Sequence, residues 1–157
     1  MTPRIDRNKY SEALRVMRGL HDYLHASPLD PVLQELVAFR ASQLNGCAWC
    51  LDMHSKELRG QGVPEQKLYL VSAWRESPQF TERERAALAW TEALTVLEHG
   101  EIPDSIYELA RSHFSEPELV DLTLAVISIN GWNRLNIAWR TVPGDYRPRT
   151  KTAAATR

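Results

Sequence analysis

Residues 30–60 read DPVLQELVAFRASQLNGCAWCLDMHSKELRG, and the punctuation of this stretch decides the fold. Asp30 is a side-chain cap for a helix, and Pro31 suits the first helical position, where no amide donor is needed. A helix is predicted from Pro31 to about Leu44. Asn45 and Gly46 end it, because both tolerate the left-handed backbone that closes a helix. A second helix is predicted to begin near Cys47 and to run to about Arg59, where Gly60, Gln61 and Gly62 close it. A turn this short lets the two helices fold back on each other as a hairpin.

Outward from the hairpin the same grammar repeats. Ser11 to His25 reads as a helix with Leu14, Met17 and Leu20 on one side, broken by Ser27, Pro28 and Asp30. Pro64 opens a short helix predicted to end near Arg75. Thr81 and Glu84 form a capping box, in which the hydroxyl and the carboxylate satisfy each other's backbone donors. The helix behind them carries Ala86, Trp90, Ala93, Leu94 and Leu97 at helical spacing, and His99 and Gly100 are expected to end it. Pro103 to Phe114 gives another helix. Ser115 starts the last and longest one, to about Arg140. The reading is an all-α bundle of helical hairpins with about seven helices and no clear strand. It predicts one domain over 1–142, followed by a mobile tail over 143–157 whose Arg147, Arg149, Lys151 and Arg157 could dock on a neighbour.

Composition agrees. In 157 residues, 43% are hydrophobic and 25% charged, with a net charge of -1. Those values describe a globular domain and argue against disorder. A general nucleic-acid or anionic-membrane binder would be more basic. The N-terminus has charge but no apolar signal core. The most apolar stretch, Leu119 to Trp139, is interrupted by Asp121, Asn130, Asn133, Arg134 and Asn136, too polar for a lipid-facing span. The expected location is the cytoplasm, where a cysteine pair serves redox or metal chemistry more often than structural stapling.

That pair is Cys47 and Cys50. Cys47 stands at the start of the third predicted helix, Cys50 one turn in, and His54 four residues further, so the three share one stripe. The thiolate is the reactive form of cysteine. A helix N-terminus favours it through unpaired N–H groups and a positive partial charge. A histidine one turn away can accept the thiol proton. Glu35 has only Pro31, Val32, Ala38 and Phe39 as neighbours on its helix face, so its carboxylate needs a partner elsewhere. A hairpin about Asn45 and Gly46 brings Glu35 towards His54. Glu35, His54 and the cysteines then form a sensible proton path.

Glu35, eleven intervening residues, and then Cys47, Cys50 and His54 in a Cys-x-x-Cys-x-x-x-His run resemble the alkyl hydroperoxidase D-like group of the carboxymuconolactone decarboxylase family. Ser42, Gln43 and Asn45 before the cysteines, and Trp132, Asn133 and Arg134 in the last helix, look like the family as well. The resemblance spans about Pro28 to Arg140. It implies an all-α fold assembled as homo-trimers or hexamers, and thiol peroxidase or disulfide reductase chemistry with no bound cofactor. It implies that Cys50 attacks a small organic hydroperoxide, that Cys47 resolves the product as a disulfide, and that a dithiol or lipoyl-type protein reduces the pair. From the residues themselves the order stays open. Cys50 is nearer His54, whereas Cys47 is nearer the helix N-terminus. Trp49 departs from the alkyl hydroperoxidase D pattern, which has a histidine between the cysteines.

Other readings stand beside this one. The cysteines alone are compatible with buried inert thiols, and with His54 they supply three of the four ligands of a structural zinc site. A general disulfide reductase and a non-enzymatic redox or metal sensor are the functional alternatives. His21 and His25, at helical i,i+4 spacing, read as surface histidines. His99 and His113 fall near predicted helix C-termini, where an imidazolium suits the dipole. The last helix is apolar on several faces, which suggests a central helix or a subunit interface. Its Asn130, Asn133 and Arg134 then form a polar network or border the thiol pocket.

Overall fold

The computed structural model describes residues 2–148. It contains seven α-helices: α1 (Arg15–Ala26), α2 (Pro31–Asn45), α3 (Ala48–Gly60), α4 (Glu65–Tyr69), α5 (Glu82–Thr95), α6 (Asp104–His113) and α7 (Glu116–Trp139). No strand occurs among the described residues. None of the helices is long and apolar enough to cross a membrane.

The central hairpin forms as its punctuation dictates. Asp30 accepts a hydrogen bond from the Leu33 amide, and Pro31 fills the first turn of α2. Gly46 closes the helix at φ 68°, a left-handed conformation in which a Cβ would be strained. Cys47 then caps α3, its Sγ accepting from the Cys50 amide at 3.4 Å. α2 is the hub of the molecule and packs on α3, α5 and α7. One side of it buries Leu33 and Val37 against Trp90, Phe114, Leu122 and Val126. Another buries Leu36 and Phe39 against Leu58, Val71, Trp74 and Leu88. A third, smaller cluster joins Ala38 and Ala41 of α2 to Cys47, Cys50 and Ile129. The cysteines therefore sit where α2, α3 and α7 meet.

Three element boundaries differ from the sequence expectation. The first helix begins at Arg15 rather than Ser11; a 3-10 turn over Arg7–Tyr10 and a further turn precede it, and no side chain caps its start. The expected fourth helix is split into α4 and a 3-10 turn over Val71–Ala73. Leu68, Val71 and Trp74 are all buried, and a spacing of three puts them on one face of a 3-10 rather than an α-helix. α5 stops at Thr95, and His99 and Gly100 form their own left-handed turn beyond it. The capping boxes at Thr81–Glu84 and Ser115–Glu118 are both formed.

α1 lies across α7. Tyr23 donates to the buried Asp121 at 2.8 Å. At Gly131 a Cβ would come within 2.7 Å of the Met17 methyl, so the glycine permits the close approach. The backbone amide of Arg4 donates to the Trp139 carbonyl at 2.9 Å, which ties the N-terminal segment to the end of α7. At the other end of the chain, Lys56 donates to the carbonyls of Gly144 and Tyr146, and the Gly144 amide donates to Asp52. Residues 149–157, in the segment expected to be a mobile tail, lie outside the described residues, with Arg149, Lys151 and Arg157 among them.

Candidate functional site

Cys47 and Cys50 are paired as a disulfide with a Cα–Cα distance of 5.4 Å, and each is 1% exposed. Their burial has an opening. A cavity of about 230 Å³ reaches Cys50, with Glu35 and His54 in its wall, whereas Cys47 is not part of that wall. Cys50 occupies the first turn of α3, where the amide dipoles favour a sulfur anion.

Glu35 and His54 meet across the hairpin, with His54 Nδ1 2.7 Å from Glu35 Oε2. Both side chains are largely buried, His54 at 8% and Glu35 at 15% exposed. A carboxylate only accepts, so Nδ1–H donates and fixes the imidazole tautomer. Nε2 is left buried with no hydrogen-bond partner among the described residues. A buried polar atom without a partner is costly and uncommon. Cys50 stands one helical turn before His54 on α3. The arrangement can thus take a proton from Cys50 and return it to a leaving oxygen.

α7 supplies a further contact. Asn136 is 4% exposed, and its Nδ2 donates to Cys50 Sγ at 3.5 Å and to the Trp132 carbonyl at 3.0 Å. The sequence reading missed Asn136 as a site residue. Its signal was available, since Asn130, Asn133 and Asn136 recur every three residues in an otherwise apolar helix. The first two form the expected polar network. Asn45 donates to both, at 2.9 Å each, and Asn133 donates to Ser42 at 3.0 Å. Arg134 donates to Asn130. The network pins the hairpin turn to α7 and so holds the cysteines against it.

His21 and His25 are exposed, as expected of surface histidines. Both line the cavity, with ring centroids 4.2 Å apart. Desolvation at the rim, and then His25, hold His21 below the ordinary imidazole range. Trp49, in place of a second histidine, forms another part of the wall, under the guanidinium of Arg7. Asp52 points away and pairs with Lys56 at 2.8 Å. Among the described residues no group of three or more histidine, cysteine or acidic side chains is placed to hold a metal.

Comparison with known proteins identifies relatives of the chain. A model of the carboxymuconolactone decarboxylase family matches residues 11–93. The uncharacterized protein YdfG of Bacillus subtilis (strain 168) is 38% identical over 127 residues, covering 81% of this chain and 86% of its own length. The uncharacterized protein YnjA of Escherichia coli (strain K12) is 35% identical over 112 residues, covering 71% of this chain and 61% of its own. The crystal structure of an Agrobacterium tumefaciens protein of unknown function, with a suggested assignment to antioxidant defence as AhpD, is similar with a TM-score of 0.87. It is 42% identical and covers 92% of this chain and 100% of that one.

Proposed function

Because the chain belongs to the carboxymuconolactone decarboxylase family, in its alkyl hydroperoxidase D-like group, we propose that it is a thiol peroxidase that reduces small organic hydroperoxides. The observation that carries this reading is the asymmetry of the disulfide. Cys50 lines the cavity together with the Glu35–His54 pair, and Cys47 does not.

In the reduced protein, His54 Nε2 takes the proton of Cys50, and the amide of Asn136 stabilises the thiolate. The thiolate attacks the terminal oxygen of R–O–OH. An S–O bond forms and the O–O bond breaks. The departing alkoxide takes the proton from His54 and leaves as the alcohol, and Cys50 is left as a sulfenic acid. Cys47 then attacks that sulfur. Its proton and the displaced hydroxide form water, and the Cys47–Cys50 disulfide results. An external dithiol, of the lipoyl or protein type, returns both cysteines to thiols by exchange. Glu35 acts through His54 as a positioning residue, holding the tautomer that leaves Nε2 free.

The cavity of about 230 Å³ that reaches Cys50 favours a small peroxide as oxidant. Self-association of the chain belongs to the same reading. Val120 and Ile127 share an exposed face of α7, at 52% and 53%, which supports a subunit contact there.

Single-cysteine variants test the assignment. Cys50→Ser is expected to abolish consumption of cumene hydroperoxide. Cys47→Ser is expected to consume one equivalent and stop, with Cys50 trapped as a sulfenic acid by dimedone. Sulfenic acid on Cys47 in Cys50→Ser, at the rate of the wild type, would overturn the order of roles.

A further inference from the structure

Two arginines stand over the cavity without a counter-ion. Arg7 and Arg18 both line it, yet neither has a carboxylate partner among the described residues, whereas Arg40, Arg59, Arg75, Arg83 and Arg85 each pair with a glutamate. Burial, and then the Arg18 charge, hold the Arg7 guanidinium below its usual range. Among the described residues the only acid in the cavity wall is Glu35, which is committed to His54.

Arg7 is also held in place. Its guanidinium lies 5.0 Å from the centre of the Trp49 ring, and the Arg4 amide anchors the segment to the end of α7. Leu24, Ala38, Ala125 and Ile129 give the cavity an apolar side, and Gln34 and Ser128 are polar groups in the same wall. Two guanidinium groups lining one cavity with no carboxylate partner among the described residues are a site for a carboxylate, which a guanidinium can grip through paired N–H donors. The apolar side calls for a hydrocarbon chain. The volume of about 230 Å³ lies below the roughly 300–1,000 Å³ of drug-sized sites, which selects a medium-length chain over a long lipid.

We propose that the cavity binds an organic acid of medium chain length, its carboxylate on Arg7 and Arg18 and its far end at Cys50. If the peroxidase reading above holds, on which this identification of the reacting group rests, the substrate is a carboxylate-bearing hydroperoxide. Its terminal oxygen passes to Cys50 and its alkoxide leaves as a hydroxy acid.

Nonanoate, a redox-inert probe, separates this inference from the peroxidase reading. Calorimetric titration of the disulfide form is expected to show nonanoate binding in preference to nonanol. Arg18→Gln and Arg7→Gln are each expected to weaken nonanoate at least about tenfold, the loss of a charge-assisted contact. In turnover, the ratio of kcat/KM for omega-hydroperoxynonanoic acid over its methyl ester is expected to fall by about the same factor in Arg18→Gln. Nonanoate binding without consumption of either peroxide would uphold the carboxylate site and overturn the peroxidase reading. Consumption of both peroxides with no preference for the acid, and no nonanoate binding, would do the reverse. Unchanged nonanoate affinity in both variants, with slower reduction by a dithiol protein, would assign the arginines to an acidic protein surface and overturn the proposal.

Discussion

Replacing Asn136 with leucine removes the amide that donates to Cys50 Sγ while keeping a side chain of similar size in a site only 4% exposed. A hydrogen bond to an ionised acceptor contributes about 1.5–3 kcal/mol. Sulfur is a weaker acceptor than oxygen, which places this bond, at 3.5 Å, at the lower end. About 1.4 kcal/mol is a tenfold change in an equilibrium or a rate. The thiolate fraction of reduced Asn136→Leu at neutral pH is therefore expected to fall about tenfold. Iodoacetamide alkylation of Cys50 in a Cys47→Ser background should slow by that factor at pH 7 and recover in alkali, where every thiol ionises. A second variant, Asn136→Gln, keeps the amide and should restore part of the rate if its longer side chain reaches the sulfur. Thermal melts separate this effect from misfolding, since the Asn136 side chain also bonds the Trp132 carbonyl. Alkylation of well-folded Asn136→Leu with the rate and pH dependence of the parent would refute the reasoning.

Three further outcomes are expected. Glu35→Gln leaves an acceptor for His54 but removes the charge that steadies its protonated form, so peroxide turnover should fall about tenfold or more, with a changed pH–rate profile; an unchanged profile would remove Glu35 from its positioning role. Gly46→Ala forces a Cβ onto a residue at φ 68° and should cost about 1 kcal/mol in urea unfolding. Glu92 is opposed by burial, but bonds from Arg75, Trp74 and Arg40 hold its carboxyl below the usual range. A lowered folded-state value stabilises the protein at pH above the unfolded value of about 4.3, and that stabilisation is lost as pH falls through the folded value. Glu92→Gln should therefore be about 2 kcal/mol less stable at neutral pH and lose less stability than wild type in that acid window.

The parts of the site that were legible from sequence are those carried by local geometry. Asp30, Pro31 and Gly46 specify a hairpin, and the hairpin alone brings Glu35 to His54. Spacing along one helix aligns Cys47, Cys50 and His54. What was not legible depends on packing between distant elements. Asn136 meets Cys50 across 86 residues of sequence. His21 and His25 are the exposed pair that their i,i+4 spacing suggests, but their place beside the cavity follows from laying α1 across α7, where Gly131 accepts Met17. The same packing places Arg18 over the cavity, and the Arg4–Trp139 bond together with the Trp49 ring places Arg7. The helix starts at Thr81 and Ser115 were readable because a capping box is a local exchange of hydrogen bonds. The break within the expected fourth helix was not, because it follows from burying Leu68, Val71 and Trp74 on one face.

The most direct test of the account is titration of the reduced protein with one equivalent of cumene hydroperoxide, read by thiol counting and intact mass. The chain has two cysteines. The account predicts that both thiols are lost together, that the mass falls by two hydrogens, and that one equivalent of cumyl alcohol appears. Two thiols that persist with the hydroperoxide intact would contradict it.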